Sequence, residues 1–141
     1  MVYHFKTRRS KDGFWAECIE LEGCRTQANS REVLERNAKE ALDLYLNEAD
    51  DSRILFAAPR RRLAGRNIFA VAVDPKIAFA QALRQTRIRR GLSQKQAARM
   101  LGMKNLYSYQ RLESPRKANP ALLTLARVKE VFPEISLDHV V

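Results

Sequence analysis

Within the stretch 92–113, LSQKQAARMLGMKNLYSYQRLE, stand Gln94, Lys95, Lys104, Asn105, Tyr107, Ser108, Gln110 and Arg111. Glutamine and asparagine amides match the donor–acceptor pair on an adenine edge, arginine matches guanine, and tyrosine suits a thymine methyl or a phosphate. Such side chains read bases only when one helix face presents them together. The spacing supplies that face. Tyr109 and Leu112 are three apart and point inward, so Lys104, Tyr107, Gln110 and Arg111 point outward, flanked by Asn105 and Ser108. Upstream, Ser93 is placed to cap a short helix, Ala97, Ala98 and Leu101 form its inner side, and Gly102 ends it. Two helices, the second over about 105–113, joined through a glycine turn describe a helix-turn-helix. The same pattern also fits a helical hairpin with no nucleic-acid partner.

Charge favours the first reading. Of the net +10, residues 1–74 carry 13 Lys/Arg against 12 Asp/Glu, and residues 75–141 carry 13 against 4. The second half, at +9, seeks a polyanion, and the first, at +1, does not. No lipidation signal or long apolar run points to a membrane, and MVYHFKTRRS lacks the apolar core of a signal peptide, so a cytoplasmic protein is expected.

The elements that must position these residues follow from periodicity. Residues 2–7 alternate as a strand, Asp12-Gly13 signals a hairpin, and 14–19 return with Phe14, Ala16 and Cys18 on one face. A short third strand fits 24–27. Ser30 caps a helix over about 31–48 with the stripe Leu34, Ala38, Ala41, Leu42 and Tyr45. Residues 50–67 read as a loop carrying Arg60-Arg61-Arg62, and the apolar 68–73 read as a buried strand. The order β-β-β-α-β is a small α+β domain over 1–74. An all-α domain over 75–141 follows: a helix 76–90 capped by Asp74-Pro75 with a basic outer face of Arg84, Arg89 and Arg90, then the two helices of the opening stretch. A further helix after Asn119-Pro120 carries Ala121, Leu125, Val128 and Phe132. Ile135, Leu137, Val140 and Val141 make an apolar tail that fits either the core or a dimer contact. Cys18 and Cys24 do not match a zinc spacing and read as a reduced, partly buried pair; no metal or other cofactor is expected.

The runs YHFK, DGFWAECIELEGCRTQA and NAKEALDLYL, continued by IFAVAVDPKIAFAQALRQTRIRRGLSQ and KNLYSYQRLE, resemble the HicB family of antitoxins, in its branch with a helix-turn-helix. The resemblance covers nearly the whole chain. It implies a partial ribonuclease-H-like fold for the first domain, which would bind and mask a small basic HicA-like RNA-cleaving toxin. The second domain resembles the Cro/C1 repressor-like family. That resemblance implies a structural ion pair between Arg87 and Glu113, Gln94 beside a DNA phosphate, and binding of double-stranded operator DNA as a homodimer or higher oligomer. One residue more than the family's spacing separates Gly102 from Glu113, placed by the sequence at 103–105.

A metal-dependent nuclease needs carboxylates spread over several elements. Here Glu17, Glu20 and Glu22 crowd one hairpin, so no catalytic residue is assigned and the chain is read as a non-enzyme. Acidic residues on and after the long helix, from Glu32, Glu35, Glu40 and Asp43 to Glu48, Asp50 and Asp51, are candidates to face a basic toxin, or simply a solvated surface. Arg84, Arg89, Lys95 and Arg99 are candidates for phosphate contacts. The expected function is that of a type II antitoxin repressing its own operon. A solitary helix-turn-helix regulator is the alternative.

Overall fold

The computed structural model describes residues 1–140; Val141 lies outside them. Among the described residues the fold is α+β, with one four-stranded antiparallel sheet and six helices, divided into two compact units. The first is Met1–Leu46 with Phe56–Val73, and the second is Asn47–Leu55 with Asp74–Val141. Residues 47–55, which the sequence places with the first domain, therefore group with the second.

In the first unit β1 (Val2–Ser10), β2 (Gly13–Cys18) and β3 (Arg25–Ala28) form a meander, followed by α1 (Arg31–Leu46) and β4 (Ile68–Ala72). The sheet order is β3-β2-β1-β4. The hairpin turn is Lys11-Asp12, and β1 runs three residues past the strand expected from its alternation. Gly13 closes the turn at φ 133°, where a Cβ would stand 2.5 Å from the Ala28 carbonyl oxygen, so no other residue fits without moving β3.

Register sorts the side chains. Phe5 lies opposite Cys18 and Phe69, Tyr3 opposite Val71, and Thr7 opposite Ala16. This face is the core, closed by Leu34, Ala38, Leu42 and Leu46 of α1, all buried. Leu46, one turn on from Leu42, completes that buried row, while Ala41 and Tyr45 of the expected stripe are half-buried beside it. Ser30 caps α1, its Oγ accepting from Val33 N at 3.3 Å. The opposite face keeps Lys6, Arg8, Trp15, Glu17 and Arg25 side by side.

β4 corrects one expectation. Its apolar run suggested burial on both faces, yet it is an edge strand paired only with β1, and only Val71 within it is buried. Residues 56–67 are not a free loop either. Phe56 is buried with its ring 5.6 Å from that of Tyr45, and Tyr3 donates to Ala57 O at 2.9 Å. Arg60 N donates to Glu20 Oε1 at 3.2 Å, Leu63 N to His4 Nε2 at 3.4 Å, and Thr7 N to Asn67 O at 2.7 Å. The segment is a strap fastened along its length.

The second unit contains α2 (Pro75–Arg89), α3 (Gln94–Met100), α4 (Leu106–Glu113), α5 (Leu122–Val131) and α6 (Leu137–Val140). Asp74 caps α2, accepting from Lys76 N at 2.9 Å, with Pro75 in the first turn. Its residues are buried almost all round, from Ile77 to Thr86, so α2 is the central helix. Ala97, Ala98, Leu101, Tyr109, Leu112, Val128 and Phe132 are buried with it. Ile135 and Val140 are buried too, so the described part of the tail completes the core. Ala121, expected on the inner stripe of α5, is instead its exposed N-cap residue, because that helix starts at Leu122.

Candidate functional site

The site is built on α3, α4 and the turn between them. Ser93 Oγ accepts from Gln96 N at 3.1 Å while Gln96 Oε1 accepts from Ser93 N at 2.8 Å, a reciprocal cap that satisfies two free N–H groups at once. At the other end Gly102 takes φ 67°, and Gly102 N and Met103 N donate back to Arg99 O and Ala98 O. Arg127 donates to Leu101 O at 3.2 Å, and its guanidinium stands where a Cβ on Gly102 would be. Glycine is needed there for the backbone turn, whereas the Arg127 side chain could swing aside for a Cβ. Met103, Lys104 and Asn105 make the turn, and α4 starts at Leu106, one residue later than expected. Asn105 Oδ1 accepts from Tyr107 N at 2.8 Å, so its oxygen serves as the cap of α4.

Under α4 lies a polar knot centred on Glu113, whose side chain is 1% exposed against 12% for Arg87. Arg87 grips it with both prongs, Nε to Oε1 at 2.6 Å and Nη2 to Oε2 at 3.0 Å. Tyr109 donates to Oε1 at 2.5 Å and Gln94 Nε2 to Oε2 at 3.0 Å. Arg84 Nη2 donates to Glu113 O at 2.9 Å, and Arg87 Nη1 to Leu92 O at 2.9 Å. Burial, and then the Glu113 charge, push the Tyr109 hydroxyl far above the ordinary phenol range. Burial disfavours the Arg87 cation, but Glu113 more than offsets it and raises its pKa. The ion pair that the resemblance implied is present and ties α2, α3 and α4 at one point.

Above this base, Lys104, Asn105, Tyr107, Ser108, Gln110 and Arg111 are all exposed, as is Lys95, while Gln94 is half-buried. Gln110 Nε2 donates to Gln94 Oε1 at 3.2 Å, coupling the outer face to the knot. Two basic residues fall elsewhere than expected. Arg84 is 1% exposed because α2 is enclosed, so it is a core residue and not a surface cation. Arg90 stacks on Phe132 at 4.8 Å and holds Glu134 at 2.6 and 2.7 Å. Burial tends to raise the Glu134 carboxyl pKa, but hydrogen bonds and Arg90 hold it below its ordinary value. Arg89 is exposed, donating to Gln85 at 3.2 Å, and with Lys95 and Arg99 keeps the expected surface position.

The sequence reading missed Lys117 and set Asp50 and Asp51 among the residues facing a basic toxin, away from this face. Lys117 Nζ lies 5.8 Å from the centre of the Tyr107 ring. Asp50 and Asp51 line a cleft of about 220 Å³ with Gln94, Tyr107, Gln110, Arg111, Ser114 and Lys117. Nothing local marks Asp50 and Asp51 as neighbours of residues sixty positions away in the chain.

The carboxylates of the first unit are arranged differently. Glu20 is buried and accepts from His4 N at 3.0 Å, His4 Nδ1 at 2.6 Å, Cys18 Sγ at 3.6 Å and Arg60 N. Burial tends to raise its pKa, yet these donors outweigh burial and hold the carboxyl below its ordinary value. Cys18 and Cys24 are buried free thiols. On α1, Glu35 lies 3.8 Å from Arg31 and Asp43 2.9 Å from Lys39. Among the described residues no group of three or more His, Cys, Asp or Glu is placed to hold a metal ion, and no helix is long and apolar enough to cross a membrane.

No protein-family model matches this chain, and no curated protein matches it.

Proposed function

We propose that this protein is the antitoxin of a toxin–antitoxin pair of the HicB kind, whose second unit binds its own operator as a helix-turn-helix and whose first unit, a partial ribonuclease-H-like domain, holds a small basic HicA-like ribonuclease. The observation that carries the reading is the outer face of α4. Tyr107, Gln110 and Arg111 are exposed together on a helix whose inner side is fixed by the Glu113 knot, in a half-chain of net charge +9. Rigid support beneath an exposed row of base-matching side chains is what groove reading requires. Leu122 and Leu123, 81% and 84% exposed, offer apolar surface for the second copy that a paired half-site calls for.

Operator binding by the full chain separates two kinds of contact. Arg111→Ala relaxes preference at one operator position and costs about 1–3 kcal/mol, whereas Lys95→Ala weakens all sequences alike and lowers the salt dependence. Competition binding against single-base operator variants measures both; identical profiles would remove the distinction. Asp50 and Asp51 place negative charge beside the same face. Asp50→Asn/Asp51→Asn therefore tightens DNA binding, by on the order of 1 kcal/mol or about fivefold at low salt, measured by fluorescence anisotropy.

Support for the toxin-binding role comes from the resemblance and from Glu32 and Glu40, both exposed on α1. The ion pairs of Glu35 and Asp43 reduce the acidic surface available to a basic partner, and this favours the second reading, a solitary regulator. Co-expression with the neighbouring reading frame decides between them. The antitoxin restores growth and co-purifies with that frame's product, and Glu32→Lys/Glu40→Lys weakens both while leaving DNA binding intact. A neighbouring product that is harmless and does not co-purify leaves the solitary regulator.

A further inference from the structure

The uncovered face of the sheet has no part in the reading above. Register places Lys6, Glu17 and Arg25 in one row across β1, β2 and β3, and Arg8, Trp15 and Gln27 in the next. Lys6, Arg8 and Arg25 are exposed, and Trp15 is 42% exposed, an expensive way to carry an indole unless something stacks on it. These residues line a cleft of about 650 Å³. Glu17, standing between Lys6 and Arg25, and Glu22 offset part of the charge, and the buried Glu20 is enclosed by its own donors. The strap adds to the positive side. Its backbone at Arg60 and Leu63 is bonded to Glu20 and His4, and His4 belongs by register to this same face. Arg60, Arg61 and Arg62, all exposed, are thereby held at the margin of the face.

We infer that this face binds single-stranded nucleic acid, with one base stacked on Trp15 and the flanking phosphates held by Lys6, Arg8, Arg25 and the strap arginines. The argument is one of charge and shape. An exposed ring between cations matches alternating bases and phosphates, since every base offers a π-face and every linkage a negative charge. An indole lying open on the sheet offers its face only to a base freed from its own pair and stack, so the strand is unpaired. The arrangement selects neither ribose nor deoxyribose, and both are tested.

Trp15 is the chain's one tryptophan, so its fluorescence reports this face alone. Titrating the full-length protein with unlabelled twelve-residue oligouridine, and separately oligothymidine, gives saturable quenching. If three phosphates are neutralised, affinity falls about 10- to 20-fold between 50 and 200 mM salt. Lys6→Gln/Arg8→Gln, two exposed positions that leave the melting temperature unchanged, weakens the quenching at least fivefold. Lys95→Glu/Arg111→Glu, in the other unit, leaves it intact even though operator binding is lost, so the two readings fail separately. The inference is overturned by absence of saturable quenching up to 100 µM oligonucleotide, by quenching unchanged in the Lys6/Arg8 variant, or by loss of quenching in the Lys95/Arg111 variant. It is equally overturned if the neighbouring frame's protein product shifts Trp15 emission while neither oligonucleotide does, which would make the face a protein-docking surface.

Discussion

Glu113→Ala unfolds the helical unit or lowers its stability by about 3–5 kcal/mol, the range for a buried pair that loses one partner. The loss exceeds that of a surface ion pair because three donors depend on one carboxylate. Arg87 would keep its charge in a site where it is 12% exposed, and Tyr109 and Gln94 would keep donors aimed at nothing. Against total stabilities of about 5–15 kcal/mol for whole domains, such a loss brings a five-helix unit close to the threshold of unfolding. Thermal denaturation followed by circular dichroism checks the result. Glu113→Gln, which keeps hydrogen bonds but not charge, falls between wild type and alanine. Arg87→Met/Glu113→Leu recovers part of the loss, because it removes both buried charges instead of orphaning one. A melting temperature unchanged in Glu113→Ala would show that the knot does not hold α4 in place.

Glu20→Ala has the second largest effect, and it falls on the strap. The carboxylate accepts from His4 twice and from Arg60 and Cys18, so its removal strands buried donors on β1 and frees the backbone at Arg60. A destabilisation of about 3 kcal/mol is expected for a fully enclosed, multiply bonded carboxylate. The local consequence is directly readable: Arg60, Arg61 and Arg62 are trypsin sites, and cleavage there accelerates at least tenfold relative to cleavage elsewhere. Unchanged strap cleavage would mean that the fastening lies at other contacts. The same group sets an acid limit. Its folded pKa lies below its unfolded value, so its stabilisation is fully present above about pH 4–5 and is lost as pH falls through the depressed folded value. Acid melting curves of wild type therefore fall more steeply than those of Glu20→Gln, which has no charge to lose.

What the sequence disclosed, it disclosed through local rules. The Lys11-Asp12 hairpin, the caps at Ser30, Asp74 and Ser93, and the left-handed Gly102 each depend on residues within a few positions of one another. The pairing of Arg87 with Glu113 was legible only because a resemblance named the two positions. Periodicity failed where burial depends on what surrounds an element. Arg84 read as surface because helical spacing cannot reveal that α2 is enclosed on nearly every side, and 68–73 read as a buried strand because an apolar run does not show how many neighbours it will have. The strap was invisible because His4, Glu20, Arg60 and Leu63 meet only after the sheet is assembled. The outward row on α4 was legible from Tyr109 and Leu112; its neighbours Asp50, Asp51 and Lys117 were not.

The division of the chain has a consequence for its birth on the ribosome. The path crosses between the two units three times, at 46/47, 55/56 and 73/74. A chain emerging N-terminus first, at about 5–20 residues per second, delivers everything the sheet unit needs by Val73. Asn47–Leu55 emerges in the middle of that interval, yet its own unit is still to be synthesised. For several seconds these nine residues form a nascent loop waiting for helices that do not exist. Glu48, Asp50 and Asp51 favour hydration of that loop during the wait and offset the apolar Ile54 and Leu55 at its end.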